Sequence, residues 1–400
     1  MPHLAACFSL AILLACVAGA RSAQADTPPL RVTFPNPNIF QSPYTWRNDR
    51  GSAIAPTGGS YLKGVVSGTT ILRANVDTSL NAGQPADDMP TLKVTIEDQP
   101  PTFIQFPPGA AQVTLATLSP DRHRFRIEAI GGNQIKPDGW SGTTFQTKID
   151  SLEFDAGATL SPPALRSKRA LILGDSNIQA YFGQPTVGPY YRYVDYSLSW
   201  PGDVAFAFDC EFGQIGIGST GWIHPGQGGY PAMPDWWDHY SAGQPRDLTL
   251  QPDYVWVALG ANDHNVEPAR LTEVITRWLA RARKAFPAAE IFCVVPFHGE
   301  NRAAVSAAVH AAHDADTAVP TAKTTATAAV SSSSSDPRLH LIDLGFELES
   351  AIPFRGGQTT WLTGDGLHLR SQYHGLIAAA IARQSQAGLG KADARATSPR

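Results

Sequence analysis

The chain has 400 residues, of which 43% are hydrophobic and 16% charged, and its formal net charge is −4. This apolar content is sufficient for folded cores and excludes a chain that is disordered throughout. The slightly acidic balance argues against nucleic acid as a partner, and the length suits two domains better than one.

The N-terminal residues predict an export signal. Residues 4–20 are nearly all apolar, and Ala23-Gln24-Ala25 has the small-x-small pattern of a signal-peptide cleavage site. We expect a signal peptide over residues 1–25 and a periplasmic or secreted protein. The alternative is a lipoprotein signal with Cys16 lipidated, although a lipidated cysteine usually follows a smaller pair than Leu14-Ala15. No later stretch is long and apolar enough to predict a transmembrane segment.

Residues 30–160 have the pattern of a β-domain. Turn signals such as Gly58-Gly59 and Pro100-Pro101 separate short runs rich in strand-forming residues. Six such runs cover residues 61–66, 70–76, 92–96, 112–118, 124–130 and 148–154. Short strands at this spacing predict a β-sandwich, and Ser161-Pro162-Pro163 predicts a stiff linker after it.

Residues 168–385 have a different pattern, in which apolar strands alternate with helices. The expected strands cover residues 169–173, 208–217, 254–259, 291–296 and 339–344. The clearest helices are 267–286 and 368–384, and the alternation predicts a parallel sheet with helices on both faces. The low-complexity stretch 317–335 predicts a disordered surface insertion, and residues 386–400 predict a disordered tail.

Three polar motifs lie at the ends of predicted strands: Gly-Asp-Ser-Asn at 174–177, Gly-Ala-Asn-Asp at 260–263, and Gly-Asp-Gly-Leu-His at 364–368. Active residues of open α/β sheets gather at the carboxyl ends of strands. Ser176 would sit at a helix N-terminus, which favours developing negative charge. Each motif alone fits turn chemistry, but the three together predict an active site.

The motifs supply complementary groups for acyl transfer. Asp365 lies three residues before His368, so its carboxylate can orient the imidazole and hold its tautomer. Asn262 offers a side-chain amide donor at the same end of the sheet. We expect Asp263 to cap the following segment or to fix the loop rather than to act as the acid of a triad.

Gly-Asp-Ser, Gly-x-Asn-Asp and Asp-x-x-His in this order resemble blocks I, III and V of the SGNH (GDSL-type) hydrolases. The resemblance implies a flavodoxin-like three-layer α/β domain in which Ser176 attacks an ester carbonyl, His368 takes its proton and Asp365 orients His368. It also implies an oxyanion hole formed by the Ser176 backbone N–H, the Asn262 side chain and a block II backbone N–H. No cofactor or metal is implied.

Block II follows the second predicted strand, within residues 214–221. Its donor could be Gly218 or Ser219, and we predict Gly218. Residues 216–221 also fit Gly-x-Gly-x-x-Gly, but a dinucleotide site needs this motif after the first strand and at the start of a helix; we therefore expect no nucleotide. A second departure from the family is Asn177, where leucine or isoleucine is usual.

The β-rich front half and the junction Arg-x-Leu-Ile-Leu-Gly-Asp-Ser, at 169–176, resemble the two-domain carbohydrate esterases of family 2. That resemblance implies a jelly-roll-like β-sandwich before the hydrolase domain. It also implies removal of acetyl groups from polysaccharides.

The loop after the second strand is rich in aromatic residues, and flat aromatic faces suit sugar rings. Its aromatic members are Trp222, Tyr230, Trp236, Trp237 and Tyr240. One hypothesis is that Trp222, Trp236 and Trp237 form a substrate platform; the alternative is that they pack the loop onto the sheet. Trp361 could equally line the acyl pocket or belong to the core.

Other candidate residues have simpler interpretations. Cys210 and Cys293 lie in apolar runs and predict buried thiols. His310 and His313 lie on an Ala-rich helix, and this setting is more typical of a solvent-exposed helix face than of a metal site. We expect His374 to be a packing or surface residue rather than a second catalytic base.

The sequence therefore predicts an exported serine esterase that hydrolyses acetyl esters on a polysaccharide or oligosaccharide. One alternative is an O-acyltransferase that uses the same residues. Another is a carbohydrate-binding protein with a spent catalytic domain, against which the intact Ser176, Asp365 and His368 argue.

Overall fold

The computed structural model describes residues 27–132, 138–142, 146–180, 192, 194–315, 336–345, 362–363 and 367–396. The predicted signal peptide and the low-complexity stretch 317–335 lie outside these residues. Within the described part of the chain, no helix is long and apolar enough to cross a membrane.

The front of the chain is built of short antiparallel strands. They are β1 (Leu30–Val32), β2 (Ile39–Gln41), β3 (Arg47–Asp49), β4 (Ser52–Ala55), β5 (Ser60–Ser67), β6 (Ile71–Val76), β7 (Thr91–Ile96), β8 (Thr102–Gln105), β9 (Gln112–Thr117), β10 (His123–Gly131), β11 (Thr147–Phe154) and β12 (Thr159–Ser161). One sheet has the order β3-β4-β11-β6-β9, with β1 beside β11; the other has the order β12-β5-β10-β7-β8, with β2 beside β5.

Both sheets bury alternate side chains in one shared core. In β6, Leu72 and Ala74 are fully buried, and in β10, Phe125 and Ile127 belong to the same cluster. This period-2 burial is the pattern of a sheet with one face inward, and the two sheets enclose one hydrophobic cluster in the manner of a sandwich. All six predicted runs are strands. The additional strands are three or four residues long, too short to show a period in the sequence.

A parallel sheet follows. Its strands are β13 (Lys168–Gly174), β14 (Cys210–Gly216), β17 (Tyr254–Ala258), β18 (Glu290–Val294) and β19 (Leu339–Ile342), and a small ribbon of β15 (His239–Ser241) and β16 (Gln244–Pro245) lies between β14 and β17 in sequence. The strand order β14-β13-β17-β18-β19 is the flavodoxin-like order, with its reversal next to the first strand.

Helices cover both faces of this sheet. They are α1 (Trp200–Ala207), α2 (Pro268–Ala285), α3 (Arg302–Ala315) and α4 (His374–Ala396). The helices α2 and α3 pack on one face and α1 and α4 on the other. In α2, the buried stripe Leu271, Ile275, Trp278 and Leu279 has helical spacing. The predicted helix 267–286 and the three-layer α/β arrangement are confirmed.

The last helix differs from its prediction. It begins at His374 rather than 368 and continues to Ala396, so the predicted disordered tail is wrong for residues 386–396. Gly388 and Gly390 favour an end there because glycine is a weak helix former. Tertiary packing overrides this preference, since Leu389 packs against the core and an added Cβ at Gly388 would lie 3.0 Å from His340 Nδ1.

The sandwich docks on the edge strand β14. The Tyr61 hydroxyl donates a 2.7 Å hydrogen bond to the Glu211 carboxylate, and Lys63 pairs with the same group. Burial alone would raise the pKa of Glu211, but Lys63 and Tyr61 hold it below its usual value. The backbones meet closely at Gly213, where an added Cβ would lie 2.0 Å from the Pro43 carbonyl oxygen. The strand that leads into block II is therefore fixed by both parts of the chain.

Candidate active site

Ser176 lies in a tight loop at the carboxyl end of β13. The N–H groups of Ile178 and Gln179 donate to the carbonyls of Asp175 and Ser176, both at 3.1 Å. These are consecutive turns, and Ala180 has a positive φ of 49°, so a helix does not begin at Ser176 within the described residues. The expectation of a helix N-terminus at Ser176 is wrong because left-handed backbone at Ala180 ends the helical turn.

His368 reaches the serine from the other end of the chain. Its Nε2 lies 2.8 Å from Ser176 Oγ. Its carbonyl accepts a 2.7 Å hydrogen bond from the Thr363 N–H, and Leu362 and Leu369 form an antiparallel bridge. Ser176 is only 5% exposed. The structure therefore brings the predicted nucleophile and base into hydrogen-bond contact, the geometry of a general base beside its nucleophile.

Two predicted residues, Asp365 and Trp361, lie outside the described residues. The orienting carboxylate thus stays a prediction. The carboxyl of Asp175, which is fully buried, interacts electrostatically with His368. Burial raises the pKa of Asp175 to about 6, and the Asn177 backbone N–H and His368 oppose this rise.

Asn262, the predicted side-chain donor to the oxyanion, joins three loops. Its Nδ2 donates to the Thr220 carbonyl at 2.9 Å and lies 3.4 Å from Asp175 Oδ2. The second distance is long for a hydrogen bond. The amide therefore lies where blocks I, II and III meet. One of its two N–H groups makes a full hydrogen bond to Thr220, and the other makes only a weak contact with Asp175.

Block II leaves two backbone donors free. Within the described part of the chain, neither Gly218 nor Ser219 donates its N–H to a hydrogen-bond partner. The Gly218 carbonyl accepts from the Gln227 N–H at 2.8 Å, and an added Cβ at Gly218 would lie 2.4 Å from Gln227 Oε1. Gly218 is thus held tightly with no room for a side chain, and its choice as donor stays a prediction.

Asp263 fixes the block II loop, as expected. Its carboxylate accepts the backbone N–H groups of Trp222, Ile223 and His224 at 2.8 to 2.9 Å. Three such donors satisfy a buried carboxylate, so this residue serves the loop that carries the oxyanion donors.

The predicted aromatic platform is wrong. Trp222, Trp236 and Trp237 are 1%, 0% and 2% exposed. Trp222 and Trp237 lie 5.3 and 5.8 Å, centroid to centroid, from Trp278 of α2. A buried ring offers no face to a sugar. All three residues belong to the hydrophobic cluster formed by the sheet with α2 and α3, which agrees with the alternative that they pack the loop onto the sheet.

The remaining candidates agree with their simpler interpretations. His374 is 2% exposed, Cys210 and Cys293 are free and buried, and His310 is exposed on α3, whereas His313 on the same helix is half-buried. Sequence reasoning missed the contacts of Asn177, whose side chain reaches both Asp175 and the backbone after His368. The only sign of these contacts in the sequence is that residue 177 is polar, whereas the SGNH hydrolases usually have leucine or isoleucine at this position.

No protein-family model matches the sequence, and no curated protein matches it. Among solved structures, a family two carbohydrate esterase from Cellvibrio japonicus is similar, with 18% identity, a TM-score of 0.69 and coverage of 91% of this chain and 98% of that one. An acetyl xylan esterase from the rumen bacterium Butyrivibrio proteoclasticus is 14% identical, with a TM-score of 0.65 and coverage of 90% and 99%.

A salicylyl-acyltransferase from a tetracycline biosynthetic pathway is also similar, at 13% identity, with a TM-score of 0.58 and coverage of 90% of this chain and 98% of that one. The chain thus has an SGNH hydrolase fold that resembles the family 2 carbohydrate esterases over almost their whole length. At these identities the likeness is one of fold.

Proposed function

We propose that this chain is an exported serine esterase that removes short acyl groups, acetyl first, from a polysaccharide. The observation that carries the proposal is the 2.8 Å contact between His368 Nε2 and Ser176 Oγ. An imidazole at this distance can take the hydroxyl proton as the oxygen attacks a carbonyl carbon.

The reaction proceeds in two halves. Ser176 Oγ bonds to the carbonyl carbon as its proton passes to His368 Nε2. The backbone N–H groups of Ser176 and Gly218 and the Asn262 amide stabilise the oxyanion. The bond to the sugar oxygen then breaks, and Nε2 returns the proton to that oxygen. Water attacks the acyl-serine in the same manner, which releases the carboxylic acid and restores Ser176.

Asp365 completes the site in this proposal. Its carboxylate accepts the Nδ1–H of His368 and holds the tautomer in which Nε2 is free to accept a proton. The fold likeness to carbohydrate esterases, including an acetyl xylan esterase, supports an acetylated polysaccharide as substrate. The apolar N-terminal stretch supports export, which would bring the enzyme to such polymers.

The test uses p-nitrophenyl esters and acetylated xylan with the purified protein. We expect kcat/KM to fall steeply from acetyl to octanoyl and acetate to be released from the polymer. A fluorophosphonate probe should label Ser176 alone. A preference for octanoyl esters would contradict the carbohydrate assignment, and labelling elsewhere would contradict the nucleophile.

Acyl transfer to a sugar hydroxyl is the second candidate, since a salicylyl-acyltransferase shares this fold. The same residues serve both reactions, which differ in whether water or an alcohol attacks the acyl-serine. Incubation with an acetyl-ester donor and an oligosaccharide separates them: free acetate indicates a hydrolase, and an acetylated oligosaccharide indicates a transferase.

A further inference from the structure

The side chain of Asn177 links the serine loop to the histidine loop. It is 7% exposed. Its backbone N–H and its Nδ2 both donate to Asp175 Oδ1, at 2.8 and 3.3 Å. Its Oδ1 accepts the backbone N–H of Leu369 at 3.3 Å. One carboxamide therefore connects the residue before the nucleophile with the residue after the base.

The two contacts of this amide allow a single orientation. If the amide were turned by 180°, its NH2 group would face the Leu369 N–H and its oxygen would face the Asp175 carboxylate. Donor would then meet donor and acceptor would meet acceptor. The contact between Asn177 and Leu369 is thus directional, because Asp175 fixes which end of the amide points to the histidine loop.

The peptide group between His368 and Leu369 is held from two sides. Its carbonyl accepts the Thr363 N–H at 2.7 Å, and its N–H donates to Asn177 Oδ1. A peptide group is planar, so hydrogen bonds at both of its ends fix its plane. Because the Cα atom of His368 lies in that plane, fixing the plane restricts the direction in which the His368 side chain leaves the backbone.

We propose that Asn177 is a positioning residue that holds the His368 backbone so that Nε2 stays within hydrogen-bond distance of Ser176 Oγ. The inference rests on the proposed esterase function, since it assigns Asn177 a part in aligning that reaction's base. A misplacement of about 1 Å at a reacting group can cost about 10²-fold in rate. Loss of this tie therefore lowers turnover although His368 itself is intact.

The first test compares two matched substitutions. Asn177→Leu keeps the approximate shape and removes the amide; we expect kcat on p-nitrophenyl acetate to fall about 10- to 10²-fold with KM within about twofold. Asn81→Leu is the control, because Asn81 is also buried and its Nδ2 donates to the Gln146 carbonyl at 2.8 Å in the sandwich. The kcat of this control, per folded molecule, should equal that of the wild type.

A conservative variant separates positioning from packing. Asn177→Asp keeps an acceptor for Leu369, and one of the two adjacent carboxyls then retains a proton that can serve as the donor to the other. It should recover most of the kcat lost in Asn177→Leu. Equal losses in the two variants, or a kcat for Asn177→Leu within twofold of the wild type, would overturn the proposal. Asn177→Ala supplies the same comparison if leucine prevents folding.

A crystal structure of the Asn177→Leu or Asn177→Ala protein gives a readout that does not need turnover. We expect the separation of His368 Nε2 and Ser176 Oγ to reach about 3.6 Å or more, a distance at which no hydrogen bond exists. An unchanged separation would overturn the positioning role even if activity had fallen. A wild-type protein inactive on all esters would instead overturn the proposed function, and this structural comparison would still stand.

Discussion

His368 Nε2 lies 2.8 Å from Ser176 Oγ although 192 residues separate them in the chain. Ser176 follows β13, inside the parallel sheet, whereas His368 follows β19 at its edge. Residues 368 and 369 meet Ser176 and Asn177 at the carboxyl end of β13, and Asn262, which follows β17, lies at the same end of the sheet. The sheet thus assembles groups that no local sequence could bring together.

The first prediction concerns the two residues of this contact. Ser176→Ala and His368→Ala should each lower kcat by about 10⁴- to 10⁶-fold, because each removes one half of a unit that transfers a single proton. The double variant should be no worse than either single one. Turnover of p-nitrophenyl acetate measures all three. If the two losses multiplied in the double variant, the residues would act independently.

The second prediction concerns the oxyanion. Asn262→Ala should lower kcat by about 10²- to 10³-fold with little change in KM, because the amide stabilises charge that develops only in the transition state. Steady-state kinetics on p-nitrophenyl acetate measure both constants. A rise in KM at constant kcat would show that Asn262 binds the ground state of the substrate.

The third prediction concerns the buried tryptophans. Trp236→Ala should lower the free energy of unfolding by about 3–5 kcal/mol, the usual cost of removing a large buried side chain. Hydrolysis of p-nitrophenyl acetate and of acetylated xylan should then fall in the same proportion. Denaturant unfolding and the two assays measure this. A selective rise in KM for the polymer, without loss of stability, would restore the platform hypothesis.

The sequence predicts the parallel sheet well because its strands are buried on both faces and appear as apolar runs. The expected strand 254–259 is β17 (Tyr254–Ala258), for example. Ser176 and His368 are equally predictable, since each belongs to a short motif after a strand. Such local patterns can be recognised in the sequence, and the bounds of the parallel strands shift by only one or two residues.

Features that depend on long-range contacts are not recoverable. Burial of Trp222 requires its loop to fold onto Trp278, 56 residues later, and the same aromatic residues would suit an exposed platform. The role of Asn177 depends on meeting Leu369, 192 residues away. In both cases the residue type is compatible with two environments, and only the tertiary structure selects one.

The fourth prediction concerns acid stability. Burial lowers the pKa of His374 from 6.5 to about 4, and neither ring nitrogen has a hydrogen-bond partner among the described residues. The folded state therefore requires the neutral ring, whereas the unfolded state binds a proton below pH 6.5. This term stabilises the fold above pH 6.5 and is lost as the pH falls toward about 4.

His374→Phe should remove this dependence. The difference between 6.5 and about 4 corresponds to less than about 4 kcal/mol, so the variant should lose less stability than the wild type between pH 7 and pH 4. Urea unfolding at several pH values measures the slope. Parallel curves for the two proteins would show that another group causes the acid sensitivity.

The fifth prediction concerns Asp175, for which the sign is opposite. Burial raises its pKa from 3.8 to about 6, so the folded state binds a proton more readily than the unfolded state. The contribution of this carboxyl to stability is complete below pH 3.8 and is lost as the pH rises through about 6. Above that pH the protein carries a buried charge at a cost of at most about 3 kcal/mol.

Asp175→Asn should therefore raise the free energy of unfolding at pH 8 relative to the wild type, with a gain that shrinks below pH 6 and is absent below pH 3.8. Activity should fall at the same time. In the variant, one carboxylate oxygen is replaced by an NH2 group, which can only donate. This NH2 would face another donor, either Asn262 Nδ2 or the N–H groups of Asn177. Asp235→Asn, at an exposed carboxyl, is the matched control and should change neither property. A gain in stability that did not vary with pH would show that the buried charge is not its source, and a fully active Asp175→Asn enzyme would show that Asn177 and Asn262 are held without it.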